Sequence, residues 1–285
     1  MTYNQAHGFN DCRSGVWVTI CKKPDADPLE WTAPRRIANG IMMNKPLVTS
    51  KDEWLFPCAI WRDECGAFPT ERHGLEKEQF SNVYASSDHG ETIALRGHAD
   101  VPQRSFDEHM IVERKDGSLW MLVRTFEGIG ESFSTDGGYT WTPGHKSHID
   151  GPCSRFHIRR LKSGRLLMIN HGNIEERIDL EDIMQQGNVK KWRGRSNLTA
   201  MLSEDDGQTW PYTLLLDERN EVSYPDASEC EDGYLYVCYD WERVTQREIL
   251  MAKFTEEDIL AGKITSPKGR LKILVNKALG QPDVE

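Results

Sequence analysis

The chain has 285 residues, 28% of them charged, and a formal net charge of −10. That balance argues against nucleic acid as a partner, because neutralising phosphates takes clustered Lys and Arg. No apolar run approaches the roughly 18 residues of a membrane span, so no membrane partner is expected, and Met1 to Asn10 lacks the apolar core of a secretory signal.

Elements read in chain order as repeated hairpins. Residues 16–38 form the outer half of a first sheet, and Trp31-Thr32-Ala33-Pro34 echoes a motif met later as Trp141-Thr142-Pro143. Next come PLVTS-KDE-WLFPCAIW, then the strand NVYAS leading into Ser86-Ser87-Asp88-His89-Gly90-Glu91-Thr92. The hairpin HMIVER-KDG-SLWMLVRT follows, with a second S-x-D-x-G-x-T match at Ser134 to Thr140. FHIRRL-KSG-RLLMINHG precedes an insertion, residues 174–192, whose helix formers predict a short surface helix or ordered loop. LTAML leads into the third match, Ser203 to Thr209, and YPDASE-CEDG-YLYVCYDW is the last hairpin. Thr255-Glu256-Glu257-Asp258 has the capping pattern of a short helix.

Period-2 alternation across short polar turns predicts antiparallel hairpins. In the S-x-D-x-G-x-T turns the hydroxyls and the carboxylate can bond the turn backbone, and Gly permits positive φ. Solvent-facing turn duty accounts for all three Asp residues without catalysis or calcium. The order of hairpin, third strand, box and fourth strand is one four-stranded blade per repeat. The fold class expected is therefore all-β, a β-propeller in a single domain over 1–285, with blades starting near 45, 109, 156 and 224. Residues 1–15 are too few for the inner half of the first blade, so either the chain lacks N-terminal strands, the favoured expectation, or the other terminus completes that blade.

Seven Cys are present: Cys12, Cys21, Cys58, Cys65, Cys153, Cys230 and Cys238. The number is odd and no CxxC occurs, so reduced thiols, no metal site and no cofactor are expected. A cytoplasmic location follows, or a secreted or periplasmic one if a leader has been lost.

A ligand would meet the ends of the inner strands. Glu108 and His109 stand at the start of one inner strand, and Arg124 ends the second strand of that hairpin. Arg195 precedes LTAML, and Tyr224 and Asp226 lie on one face of the last inner strand. In this set DEHMIVERKDGSLWMLVRT, RSNLTAMLSEDDGQTW and VSYPDASECEDGYLYVCYD resemble the exo-sialidase (neuraminidase) family of Asp-box, BNR-repeat proteins. The likeness spans roughly residues 10–275 and implies a six-bladed propeller that cleaves a terminal acidic sugar such as a sialic acid. It implies that Arg124 and Arg195 hold the substrate carboxylate and that Tyr224 attacks with Glu108 as its base. Asp11, in GFNDCRSGV, would be the acid that protonates the leaving oxygen. His109 and Asp226 would contact substrate. The family's first carboxylate-binding Arg is not found in this sequence, and Arg13 is a candidate substitute by its place in the chain alone.

Two alternatives remain open. One is a different carbohydrate-active enzyme, acting on uronic-acid glycans with His109 and Tyr224 transferring protons. The other is a non-catalytic propeller that binds glycan or protein. The expected partner is an acidic carbohydrate, and the sequence leaves the oligomeric state open.

Overall fold

The computed structural model describes residues 14–61, 75–172 and 194–279, with the backbone of 2–5. It divides into two compact units, residues 1–125 with 130–147, and residues 126–129 with 148–285.

The first unit holds three antiparallel sheets. β1 (Thr2–Gln5), β2 (Gly15–Val18) and β3 (Arg35–Asn39) form a three-stranded sheet. β4 (Leu47–Val48), β5 (Trp54–Ala59), β6 (Ser81–Ser86) and β7 (Ala94–Ala99) follow as a four-stranded meander. β8 (Met110–Glu113), β9 (Leu119–Thr125), β10 (Gly128–Ser134) and β11 (His145–Lys146) form the next. The first of these sheets has three strands where the other two have four.

The second unit holds two more meanders. One is β12 (His157–Arg160), β13 (Leu166–His171), β14 (Leu198–Ser203) and β15 (Tyr212–Asp217). The other is β16 (Val222–Glu229), β17 (Leu235–Trp241), β18 (Glu248–Phe254) and β19 (Arg270–Lys277). The four blade starts agree with those read from the sequence.

Every residue of β9 and of β13 is buried. Strands covered on both faces read as continuous apolar runs, which is why WMLV and LLMI show no alternation. Leu55, Val83, Ile111, Met121 and Val123 build one core of the first unit. In the second, Leu167 and Ile169 join Leu202, Ala227, Val237 and Phe254.

The three boxes close in the same way. Ser86 Oγ donates to Asp88 Oδ1 at 2.7 Å, and the Gly90 N–H donates to Ser86 Oγ at 2.8 Å. The Thr92 hydroxyl donates to Asp88 Oδ2 at 2.6 Å. The matching hydroxyl bonds, Thr140 to Asp136 and Thr209 to Asp205, are also 2.6 Å. His89, Gly137 and Asp206 stand in the left-handed region at φ 54°, 78° and 57°, each followed by a positive-φ glycine. Hydrogen bonds from the Thr side chains hold Asp88 and Asp205 down to about 2, and Asp136 lower still. Each carboxylate is occupied by its own turn.

The echo at Trp31 lies on the β2–β3 connection, where the other sheets carry their boxes, and Trp31 bridges Cys21. In the last blade a helix, α1 (Glu256–Ala261), takes that place. Thr255 caps it, and Asp258 returns a bond to the Thr255 N–H. The insertion at 174–192, Cys12 and Cys65 lie outside the described residues. Among the described residues, Cys21, Cys58, Cys153, Cys230 and Cys238 are not joined in disulfides. Among the described residues no helix is long and apolar enough to cross a membrane.

Candidate functional site

In the first unit the segment before β8 is contorted. Phe106 and Asp107, neither of them glycine, stand at φ 61° and 38°. Such conformations cost of order 1–3 kcal/mol each and persist where surroundings impose them. The surroundings here are specific. The Ser105 N–H donates to the Arg124 carbonyl at 3.0 Å, and Arg104 bridges Thr125. Asn44 Nδ2 donates to the carbonyls of Glu108, at 2.8 Å, and His109, at 3.0 Å.

The result turns Glu108 inward. Its Oε2 accepts from Arg124 Nη1 at 2.6 Å, and both side chains are buried. The Arg124 guanidinium also lies 4.8 Å over the Phe106 ring, which meets Trp61 edge-on at 5.0 Å. The expected Glu and Arg, sixteen residues apart, are thus brought together as an ion pair.

His109 is buried beside them. Its Nδ1 lies 3.0 Å from the Asp107 carbonyl and its Nε2 2.8 Å from that of Asn82. Burial pushes its pKa down, against the pull of those two carbonyls. A neutral ring donates to one of these two carbonyls. Asp11 and Arg13 lie outside the described residues.

In the second unit β16 carries a bulge. Ser223 pairs with Asp240 and Asp226 with Cys238, so Tyr224 and Pro225 share the space opposite one partner residue. Bulges re-aim side chains, and Pro is tolerated at them because no ladder N–H is needed. Tyr224 stands at φ 56°. The Pro225 carbonyl accepts from Arg155 Nη1 at 3.0 Å, and Arg155 is itself buried.

Two guanidinium groups face the Tyr224 ring. That of Arg243 is 4.1 Å from the ring centroid and that of Arg195 is 5.9 Å. Arg195 Nη2 donates to the Cys153 carbonyl at 3.0 Å. Its segment is steadied by His171, whose Nδ1 lies 2.9 Å from the Ser196 carbonyl and Nε2 3.3 Å from Ser154 Oγ. Burial, with the Arg195 charge, lowers the His171 pKa to about 4, so the ring is neutral and donates from Nδ1. Asp226 Oδ1 lies 3.2 Å from Nδ1 of buried His157.

The structure therefore brings Tyr224, Arg195 and Asp226 onto or beside one bulged strand. Sequence reasoning missed Arg243 and Arg155 as part of that cluster. Arg243 had a usable signal, since it follows the second strand of its hairpin, as Arg124 ends the second strand of its own. Among the described residues no group of three or more His, Cys, Asp or Glu could hold a metal ion.

Residues 13–237 match the model of the BNR repeat-like domain, and the chain belongs to that family. No curated protein matches it. Among solved structures it is similar to a Hadza microbial sialidase, with 19% identity and a TM-score of 0.59, covering 82% of this chain and 44% of that one. It is similar to the leech intramolecular trans-sialidase, with 16% identity and a TM-score of 0.62, over 87% of this chain and 37% of that one. It is also similar to the intramolecular trans-sialidase from Ruminococcus gnavus, with 16% identity and a TM-score of 0.58, over 86% and 51%. These likenesses establish a sialidase-type β-propeller fold, of which the chain spans about half or less of each neighbour.

Proposed function

We propose that this member of the BNR repeat-like family is a sialidase-like glycosidase that acts on a terminal acidic sugar by a retaining mechanism. The observation that carries the reading is Tyr224, a non-glycine residue at φ 56° on a bulge with Arg195 and Arg243 around its ring. A sialic acid bears its carboxylate on the anomeric carbon. A carboxylate nucleophile would meet that charge, whereas a neutral phenol does not. Its ordinary pKa near 10 means that it needs a base. Glycosidases with a Tyr nucleophile are a known exception to the two-carboxylate rule.

In this reading Tyr224 attacks the anomeric carbon and Arg195 forks onto the carboxylate, a charge-assisted geometry that Lys cannot match. Asp226 contacts sugar hydroxyls. Glu108, Arg124 and Asp11 enter as base, second anion contact and acid through the likeness of their segments to the family. The uronic-acid alternative, with His109 moving protons, draws no support from a ring whose nitrogens both face backbone carbonyls.

The test is calorimetric binding of an unsaturated sialic acid analogue, with hydrolysis of a fluorogenic aryl sialoside. Binding lost in Arg195→Ala, and hydrolysis lost in Tyr224→Phe with binding kept, are the expected results. A folded chain that neither binds the analogue nor cleaves the sialoside would overturn the proposal.

A further inference from the structure

We infer that Arg243 is a positioning residue for Tyr224, fixing its ring and stabilising negative charge on its oxygen. The inference rests on the reading of Tyr224 as the attacking group.

The guanidinium of Arg243 lies 4.1 Å from the centre of the Tyr224 ring. It is held there from behind. Nη2 donates to Asp240 Oδ2 at 2.7 Å and to Ser223 Oγ at 3.0 Å, while Ser223 Oγ donates to Asp240 Oδ1 at 2.6 Å. Ser223 precedes Tyr224 in the chain, and Asp240 is its partner in the ladder. The groups that anchor Arg243 and the ring that it covers therefore belong to one pair of strands. A shift of the bulge would move all of them together.

A planar cation over a phenol does two things. It is attracted by the ring face, which restricts the ring to one orientation. It also favours the anionic oxygen over the neutral one, which is the direction in which an attacking tyrosine moves. Arg195, 5.9 Å away, adds a second positive charge. Asp240 offsets part of the Arg243 charge, and Asp226 on this strand lies 3.2 Å from Nδ1 of His157 on β12. The Arg243 side chain is 45% exposed, so its truncation leaves no buried cavity.

The experiment uses the full chain and the variants Arg243→Ala, Arg243→Lys and Tyr224→Phe. Near-ultraviolet absorbance follows phenolate formation. Each titration is compared with that of the same protein carrying Tyr224→Phe, which isolates the one tyrosine among eight. Arg243→Ala is expected to move that titration upward by about one unit, with Arg243→Lys nearer to the wild type. On a fluorogenic aryl sialoside, Arg243→Ala is expected to lower kcat about tenfold and to change KM less than about twofold. A Tyr224 titration that is the same with and without the Arg243 guanidinium would overturn the inference, as would hydrolysis at wild-type kcat in Arg243→Ala. A shifted titration in a wild-type chain that cleaves no sialoside would overturn the glycosidase reading instead, leaving the pairing of the two residues intact.

Discussion

Arg124 Nη1 donates to Glu108 Oε2 at 2.6 Å inside the first unit, with neither side chain more than 1% exposed. A buried pair of this kind contributes little relative to apolar residues of the same shape, but removing one partner strands a charge. Arg124→Met is expected to lower the unfolding free energy by about 3–5 kcal/mol in urea. The double variant Glu108→Gln with Arg124→Met should recover most of that loss. Equal stability of the wild type and the single variant would show that the pair is not what holds the segment before β8.

The Asp boxes give the acid limb of the stability profile. Asp88 and Asp205 titrate at about 2 in the folded chain, against 3.8 for a free side chain, mainly through the Thr92 and Thr209 hydrogen bonds. Folded values that lie below the unfolded ones mean that the unfolded chain takes up protons first. Their contribution is complete above pH 3.8 and is lost as pH falls toward 2. Asp205→Asn should remove a share of that acid-dependent loss, measured as the urea midpoint between neutral pH and the acid limb. A variant with the same pH dependence as the wild type would show that the turn does not depend on the ionised carboxylate.

The boxes, the hairpins and the blade starts were legible because each follows from local chemistry. Ser, Asp, Gly and Thr in fixed order form one turn, and short apolar runs set off by polar turns mark the strands, although the burial of β9 and β13 on both faces departs from the alternation expected of them. The helix after β18 was legible from Thr255 and Asp258 for the same reason. Tyr224 could be placed on a strand but not on a bulge, because a one-residue slip leaves no mark in apolar periodicity. The ion pair of Glu108 with Arg124 was hidden because a spacing of sixteen residues fixes neighbouring strands but not where side chains point. His109 looked like a ligand-facing residue from its place in the hairpin. Its two contacts come from backbone at Asp107 and from Asn82 on β6, and no pattern around residue 109 encodes the latter.

His171 sets a second pH dependence, at higher pH. Its folded value near 4 lies below its ordinary 6.5, chiefly because burial disfavours the charged ring. Below pH 6.5 the unfolded chain binds a proton that the native one refuses. Stability is therefore full above 6.5 and falls as pH drops toward 4, by about 3 kcal/mol in all. His109 shifts in the same direction for the same cause, so the two contributions add. His171→Asn keeps a donor for the Ser196 carbonyl and cannot titrate. It should flatten part of the slope between neutral pH and about pH 5 in urea titrations. A slope as steep as that of the wild type would assign the pH dependence elsewhere.

Asp258 ties α1 to the chain that follows it. Oδ2 accepts from the Thr255 N–H at 2.9 Å and from Ser266 Oγ at 2.6 Å. Oδ1 accepts from the N–H groups of Thr265 and Ser266, at 2.6 and 2.8 Å, and from Thr265 Oγ1 at 2.9 Å. Burial alone would raise its pKa, yet these donors hold it well below the usual carboxylate range. The residue is fully buried, so truncation would leave backbone donors without partners, each costing about 1–3 kcal/mol. Asp258→Ala is therefore expected to destabilise by about 3 kcal/mol or more, beyond the roughly 1 kcal/mol of an ordinary cap. Asp258→Asn, which keeps one acceptor oxygen, should fall between the two. Thermal unfolding of the full chain would separate these cases, and a loss no larger than that of a simple cap would mean that water replaces the carboxylate at Thr265 and Ser266.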